Sequence, residues 1–433
     1  MPELRVGLVG FGTIGTGVVR ILREHGPEIE RRLGFPLRLA RIADIDLERD
    51  RGVSTEGIEL TQSWREVALD PRIDIVVELV GGTSIAREIV SEALAAGKAV
   101  VTANKALLAH HGPDLYARAH DSGVEIAFEA SVGGTIPVLR ALREGLCADR
   151  LSSVLGIVNG TCNYILTEME NQREPYAACL KRAQDLGYAE ADPTADVSGL
   201  DSMHKLVILI GLAFGAHLEP DDIQTEGIER VQEIDIEYAE SFDLRIKLLA
   251  LAKLREGAIE AAVRPVMIPQ ASVLARVDGS MNAVEIAGAA SGPTLYYGAG
   301  AGSMPTASAV VADVMEVART GQLGGGRRVP PLGTADLREL PVRRQEDLES
   351  EFYLRFSVVD RPNVLAHITG ALGARGISIA SVVQPERHAS EAVPVVIVTH
   401  LAKESSLREA LGEIDDLGDV TGPSQAIRIE REI

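Results

Sequence analysis

Gly10-Phe-Gly-Thr-Ile-Gly15 follows the β-rich run Leu4-Arg-Val-Gly-Leu-Val9 directly and precedes a helical pattern through Val18, Val19, Ile21 and Leu22. Glycines in that position dictate a strand that turns sharply into a helix, the opening of a βαβ unit. Gly10 permits the tight turn, Gly12 lets the backbone approach a pyrophosphate, and Gly15 allows close strand–helix packing. The helix N-terminus then offers unpaired N–H groups and the positive end of its dipole to the phosphates. The expected ligand is a dinucleotide, held by Gly10, Phe11, Gly12, Thr13, Ile14 and Gly15. Glycine turns also occur for purely structural reasons; the strand–loop–helix context carries the expectation here.

A second strand is expected over Leu37–Ala43, ending at Asp44-Ile-Asp46. A carboxylate there accepts hydrogen bonds from the adenosine ribose of NAD and repels the 2′-phosphate of NADP. Asp44 lies further from the glycines than the usual ~20 residues, which a long first helix and loop (Glu24–Pro36) accommodates. Arg41 and Arg49 are near enough in sequence to serve a phosphate instead, so NAD is favoured and NADP stays open. Strands over Ile73–Val80 and Ala99–Thr102, with a helix over Ala86–Ala96 between them, complete an alternating pattern and predict a doubly wound parallel sheet of Rossmann type. Ligands of such sheets sit beyond the carboxyl ends of the strands. Lys105 lies at such an end, where a helix start disfavours a cation; that misfit points to function.

The 433 residues suffice for two or three domains at roughly 150 each, and 46% apolar residues supply their cores. With 43 basic against 63 acidic residues the net charge is −20, which repels phosphate backbones and argues against nucleic acid. Cys147, Cys162 and Cys179 have no CxxC spacing and read as reduced, partly buried thiols. The N-terminus has no leader pattern and no run approaches the roughly 20 apolar residues of a membrane span. A soluble cytoplasmic protein is expected.

Downstream, Ile126–Pro137 runs from a strand through Gly133-Gly134 into a helix expected over Val138–Leu146. Leu155–Val158 is a strand that meets Asn159-Gly160, a turn signal, with a helix expected over Tyr164–Glu170. Between Ala183 and Lys205 four carboxylates, Glu190, Asp192, Asp196 and Asp201, crowd into one stretch ahead of Lys205. One long helix is expected from Ser198, its cap, to Gly215. Asp201 and Lys205 are four apart and share its face. In isolation such a pair is a surface ion pair; behind three further carboxylates it suggests a reaction site. Reduction of a carbonyl by a nicotinamide needs a proton donor to the nascent alkoxide, and the reverse needs a base. A lysine near a second cation such as Lys105 suits both tasks. His204 adjoins Lys205 but lies off its face and reads as a packing or surface histidine.

The stretch Ala183, Gly187-Tyr-Ala-Glu190, Asp192-Pro193, Asp196, Gly199, Asp201 and Lys205 resembles, at every position, the signature of homoserine dehydrogenases. Thr102-Ala-Asn-Lys-Ala-Leu extends the resemblance to Lys105. It implies Lys205, Lys105 and Asp201 as catalytic residues, with Lys105 beside nicotinamide and substrate, and Glu190, Asp196, Tyr188 and Gly187 around an amino-acid substrate carrying an ammonium group. It also implies cofactor contacts from Gly187 and from Gly302, which opens a helix over Thr306–Arg319 that returns to the first domain. A monovalent cation, sodium or potassium, is implied on Glu129, Val132, Gly134 and Ile136; hard cations prefer such oxygen ligands. The strand-rich segment Glu260–Gly298 is a dimerisation sheet in relatives, so a homodimer or homotetramer is expected. The implied reaction interconverts aspartate 4-semialdehyde and homoserine in a monofunctional enzyme. A non-catalytic amino-acid sensor and a dehydrogenase of another small amino-acid aldehyde are the alternatives.

Gly321–Pro331 is rich in Gly, Arg and Pro and marks a boundary. Domains are therefore expected at 1–137 (closed by helix 306–320), 138–305 and 350–433, with 321–349 as linker. The last segment alternates as β-α-β-β-α-β, a ferredoxin-like order. It resembles an ACT domain through Asp360-Arg-Pro and Gly376, with Asn363 where the usual glycine stands; Asn also tolerates left-handed dihedrals. The resemblance implies an amino-acid effector, threonine in this family, at Asp360 and Asn363. Deleting 350–433 is expected to spare catalysis and abolish any threonine sensitivity. The fold class is α/β, with a Rossmann-type sheet, an α+β substrate and dimerisation domain, and a ferredoxin-like tail.

Overall fold

The architecture was taken from a computed structural model that describes residues 3–322, 330–334, 337–384 and 392–432. The chain divides into two compact units. The first joins Met1–Gly160, Leu200–Ile223 and Ser280–Leu340; the second joins Thr161–Gly199, Gln224–Gly279 and Pro341–Ile433.

In the first unit β1 (Leu4–Val9), β2 (Leu37–Ala43), β3 (Glu59–Thr61), β4 (Ile75–Glu78), β5 (Ala99–Thr102) and β6 (Ile126–Ala127) form a parallel sheet ordered β3-β2-β1-β4-β5-β6. This is the doubly wound order, and its crossover beside β1 and β4 is where such sheets bind dinucleotides. Strand sequences such as Ile75-Val-Val are buried on both faces and therefore read as continuous apolar runs. Helix α1 (Thr13–Glu24) follows β1, and α2 (Lys105–Asp121) follows β5. The core gathers Val6, Leu8, Val18, Val19, Ile42, Val77, Val310 and Val314; each such side chain contributes about 1.5–3 kcal/mol on burial. A separate antiparallel ladder pairs β7 (Leu151–Ile157) with a later strand of the same unit, Met281–Gly288, which pairs in turn with Gly292–Ala299.

Several expected boundaries shift for local reasons. The helix expected over Val138–Leu146 is one α-turn, Val138–Arg140, continued by a π-turn over Ala141–Gly145. Asn159-Gly160 is not a free turn: helix α3 (Gly160–Gln172) begins at that glycine. Helix α4 runs Leu200–Phe214 rather than from Ser198, because Gly199 holds φ 88° and separates it from the short turn Thr194–Val197. Cys147 is exposed, whereas Cys162 and Cys179 are buried.

The second unit is built on β8 (Gln224–Thr225), β9 (Leu244–Arg255) and β10 (Ala258–Pro269); β9 and β10 pair antiparallel along their full length. In chain order β11 (Met281–Gly288) and β12 (Gly292–Ala299) belong to the first unit's ladder, as does helix α5 (Ser303–Gln322), which packs along α1. The tail supplies β13 (Glu349–Val359), α6 (Val364–Ala374), β14 (Ile379–Val383), β15 (Ala392–Thr399), β16 (Ala402–Lys403), α7 (Glu404–Asp415) and β17 (Gln425–Ile429). Its sheet order β17-β13-β15-β14 is ferredoxin-like, and β17 pairs parallel with β10 through Val266–Arg428 and Met267–Ile429. The tail sheet is thus continuous with β9–β10 and is no detachable bead. The expectation that its deletion spares catalysis is withdrawn for this reason.

Part of the expected linker is also tied down. Ile259 N donates to Pro341 O at 2.8 Å, and Arg343 N returns a bond to Ile259 O at 2.7 Å. Gly324-Gly-Gly-Arg-Arg lies outside the described residues.

Candidate active site

The dinucleotide loop has the contacts its glycines are needed for. Gly10 holds φ 99°, and a Cβ there would lie 2.6 Å from the Leu79 backbone; a Cβ at Gly15 would lie 2.2 Å from Gly10 O. Gly12 faces open space, as backbone approached by a pyrophosphate requires. Phe11, Thr13 and Ile14 complete the loop and first helical turn. Gly302 (φ 125°) precedes α5, whose Ser303 Oγ donates to Thr13 O at 2.7 Å, so both glycine-led helix starts meet.

Asp44 accepts from Phe11 N at 2.6 Å and lies 3.3 Å from Arg51 Nη2. Arg51, largely buried, also donates to Phe11 O and covers the Phe11 ring at 4.6 Å. Arg41 points instead to Glu59 and Asp70, which corrects its assignment as a candidate phosphate ligand. The guanidinium at the Asp44 end is Arg51, and sequence reasoning missed it.

Lys105 is the first residue of α2. A buried chain shapes this start: Thr102 Oγ1 donates to Glu78 Oε2 at 2.7 Å, Asn104 N to Thr102 Oγ1 at 3.0 Å, and Asn104 Oδ1 caps the helix by accepting from Leu107 N at 3.0 Å. Burial raises the Glu78 carboxyl above its usual range, against its bonds to Thr102 and the Val80 and Gly81 N–H groups. Lys105 Nζ lies 3.0 Å from Asp201 Oδ1. Asp201 Oδ2 lies 2.6 Å from Lys205 Nζ and accepts from Asn159 Nδ2 at 2.9 Å. Lys205 Nζ also donates to Val158 O at 2.6 Å.

The strand end after β7, the first turn of α4 and the start of α2 therefore converge on one carboxylate. Burial alone would raise the Asp201 carboxyl; Lys205 and then Lys105 outweigh it and hold it well below the ordinary carboxylate range. Lys205 is a buried ammonium, 10% exposed in its side chain, while Lys105 is 42% exposed. An ammonium has three donors; Lys205 uses two on Asp201 and Val158. Val158 was not foreseen; the resemblance implies Asn159-Gly160-Thr161 as a border of the substrate pocket, without the bond from Asn159 to Asp201. His204 packs edge-on against His110 at 5.3 Å, and burial lowers its pKa.

Glu129 is buried. Its carboxylate accepts from Leu139 N at 2.9 Å and Arg140 N at 2.8 Å, and its own N–H donates to Asp313 Oδ2 at 2.7 Å. Burial, then the Asp313 charge, pushes Glu129 up to about 7; burial pushes Asp313 up to about 6. Gly133 (φ 72°) and Gly134 (φ 57°) bend the loop, and a Cβ at Gly134 would lie 2.7 Å from Gly300. Ile136 O accepts from Val138 N at 2.7 Å, and Glu129 O accepts from Val132 N at 3.4 Å. Among the described residues no three His, Cys, Asp or Glu side chains gather as a metal site.

Gly187, Tyr188, Glu190 and Asp196 belong to the second unit. Gly187 turns at φ 76°, Tyr188 packs against Tyr164 with the rings tilted and 4.9 Å apart, and accepts through its carbonyl from Thr161 Oγ1 at 2.7 Å. Asp196 Oδ2 is 3.3 Å from Thr161 Oγ1. Glu190 is exposed and accepts through its carbonyl from Gln184 Nε2 at 3.1 Å. Asp192, by contrast, is occupied in capping Thr194.

A parallel sheet with a glycine loop at its crossover, and a lysine–aspartate–lysine cluster at its strand ends, define a nicotinamide-dependent dehydrogenase. Family models agree along the chain: "Homoserine dehydrogenase, NAD binding domain" matches residues 10–129, "Homoserine dehydrogenase" residues 137–315 and "ACT domain" residues 352–419. The homoserine dehydrogenase of Pseudomonas aeruginosa is 44% identical over 100% of both chains. A homoserine dehydrogenase structure from Thiobacillus denitrificans is similar at TM-score 0.93 and 45% identity, covering 100% of this chain and 99% of that one. A hyperthermophilic archaeal homoserine dehydrogenase mutant in complex with NADPH is similar at TM-score 0.62 and 25% identity, over 73% of this chain and 98% of that one. The chain belongs to the homoserine dehydrogenase family and carries its C-terminal ACT domain. Among the described residues no helix is long and apolar enough to cross a membrane.

Proposed function

We propose that this chain interconverts L-aspartate 4-semialdehyde and L-homoserine in the cytoplasm. The observation that carries the reading is the single carboxylate of Asp201 bonded to both Lys205 and Lys105. The nicotinamide supplies or accepts the hydride when bound. Lys205 donates a proton to the nascent alkoxide through the N–H not used on Asp201 and Val158, and recovers it as a base in the reverse direction. Lys105 adds positive charge beside the same oxygen. Asp201 orients both. Glu190 and Asp196 take the substrate ammonium or hydroxyl, with Tyr188 and Gly187 beside them and Gly187 also near the cofactor.

The loop Gly10–Gly15 and Gly302 hold the dinucleotide. Asp44 supports NAD; Arg51 beside it is the group that would tolerate the 2′-phosphate of NADP, the form bound by the archaeal relative. The side chain or carbonyl of Glu129 and the carbonyls of Val132, Gly134 and Ile136 take a sodium or potassium ion. Supporting this, the glycine dihedrals bend the loop, and two buried carboxyls pushed up in pKa lie beside it, which a cation would relieve. The enzyme works as a homodimer or homotetramer, and threonine acts at the Asp360–Asn363 turn, where Asn363 adopts φ 76°.

The test is an absorbance assay of homoserine oxidation with NAD and with NADP, repeated with added threonine and with sodium exchanged for potassium. Turnover with at least one cofactor is expected. No turnover of homoserine with either would end the proposal.

A further inference from the structure

Glu78 closes β4, is 0% exposed, and forms no ion pair among the described residues. A carboxylate buried without a cation is costly unless hydrogen bonds satisfy it. Val80 N reaches its Oε1 at 2.8 Å and Gly81 N at 3.4 Å, and Thr102 Oγ1 donates to Oε2 at 2.7 Å. The last bond follows from sheet register, because Glu78 and Thr102 stand opposite each other at the carboxyl ends of β4 and β5. Thr102 is also fully buried; with its proton on Glu78, its Oγ1 accepts from Asn104 N at 3.0 Å. Asn104 in turn donates through Nδ2 to Gly82 O at 2.7 Å and caps α2 through Oδ1. The start of α2 is thus fastened to the end of β4 at two points. Lys105 is the first residue of that helix, and its side chain is 42% exposed. Packing around its stem therefore does little to hold the ammonium 3.0 Å from Asp201 Oδ1, and the backbone it springs from has to be fixed instead.

We propose that Glu78 is a positioning residue for the reaction: through Thr102 and Asn104 it fixes the first turn of α2, and with it the Lys105 ammonium beside the reacting oxygen. It transfers no proton itself and acts through Lys105. The same carboxylate holds the N–H groups of Val80 and Gly81, which open the loop Gly81-Gly82 (φ 81° and 68°). That loop adjoins the dinucleotide turn, since a Cβ on Gly10 would lie 3.0 Å from Val80 N. One buried group therefore sets the lysine and braces the backbone next to the cofactor loop. The inference rests on the role given to Lys105 above and names the residue that places it.

Homoserine oxidation by full-chain variants, each shown to be folded by circular dichroism, tests this. Thr102→Val keeps a β-branched strand residue and cuts the hydroxyl link. Its kcat should fall roughly 10–100-fold, the scale for a catalytic contact displaced by up to about 1 Å. KM for homoserine should stay within about threefold, because Lys105 acts on the alkoxide of the transition state. Glu78→Leu should do the same; where it does not fold, Thr102→Val carries the test. Glu78→Gln keeps an acceptor for Val80 N and offers Thr102 Oγ1 a donor, so Asn104 N stays paired. It should hold kcat within about threefold of the wild type. The deciding measurement is a cycle with Lys105→Ala, read by single turnover at high enzyme concentration. Adding Thr102→Val to Lys105→Ala should cost less than about a further twofold, whereas a residue needed only for the fold would cost as much as it does alone. Losses that multiply, near-normal kcat in folded Thr102→Val, or a Glu78→Gln variant as impaired as Glu78→Leu would overturn the inference and leave the proposed function standing. No homoserine turnover by the wild type would overturn both.

Discussion

Asp201 spans both lysines of the site, with Oδ2 2.6 Å from Lys205 Nζ and Oδ1 3.0 Å from Lys105 Nζ. The two ammonium groups stand on different helices, and the anion they share offsets their mutual repulsion. Asp201→Asn puts an N–H pair where a second acceptor is needed. The expected result is a fall in kcat of roughly 100-fold or more, the scale of losing a positioned charge-stabilising contact, with a lesser change in KM. Steady-state kinetics checks this. A variant with near-normal kcat would show that the lysines are held without it.

Lys205→Ala removes the buried ammonium itself. Substrate affinity should be largely retained while turnover drops by a factor of about 10²–10⁴, the range for a lost general acid–base. Binding measured separately from single-turnover rates distinguishes the two effects. Near-normal turnover would reject Lys205 as the proton-transfer residue.

Asp44→Ser should change cofactor choice. Asp44 and Arg51 sit together, one group suited to a ribose hydroxyl and the other to a phosphate. Removing the carboxylate takes away the charge that repels a 2′-phosphate and leaves the Arg51 cation in place, so the ratio of kcat/KM for NADP over NAD should rise about tenfold, one lost hydrogen bond's worth. A ratio that stays constant in a folded variant would mean that Asp44 only braces Phe11 N.

How much of this was legible in the sequence follows from distance along the chain. Gly10, Gly12 and Gly15 act within one turn, and Asp201 and Lys205 within one helical repeat, so spacing alone announces them. The tail strands and helices were equally readable because each alternates cleanly. Arg51 meets Phe11 from forty residues further along the chain, and Val158 and Asn159 reach Lys205 and Asp201 from the end of another strand; no local pattern encodes such meetings. The break before α4 was misjudged because Ser198 looks like a cap, whereas Gly199 takes a left-handed conformation that ends the preceding turn. Glu78 ends an ordinary strand sequence, and only the folded neighbours reveal that it is buried and bonded to Thr102.

Lys247 offers a test by pH. It is buried on β9, donates to Val277 O at 2.6 Å and Asn163 Oδ1 at 3.1 Å, and burial, then Arg245, pushes it down to about 8. Above that pH the folded chain has released a proton that the unfolded chain still holds up to about 10.5. Stability attributable to this group therefore rises with pH between those values. The wild type minus Lys247→Met difference in unfolding free energy should shift in favour of the wild type by about 2–3 kcal/mol from pH 7 to pH 10.5. Urea unfolding of both proteins at the two pH values measures it, and a flat difference would place the lysine in contact with water.

The last prediction concerns the tail. Asp235 is wholly buried and accepts from Tyr353 Oη at 3.0 Å and Arg355 Nε at 2.7 Å, both on β13. Arg355→Met should therefore cost about 3–5 kcal/mol, the range for leaving a buried charge unpaired. Deleting residues 350–433 does this and more, since it also bares the β10 edge that β17 covers and removes Glu430, the partner of Lys253. The truncated chain should be insoluble or unfolded by circular dichroism, with homoserine turnover lost for that reason. Loss of threonine sensitivity in such a truncation would therefore say nothing about an effector site. Substitutions at Asp360 or Asn363, on an exposed turn outside these contacts, are the proper probe, and they should leave the melting temperature within a few degrees of the wild type. A soluble, active truncation would mean that the paired strands contribute little to the fold of the second unit.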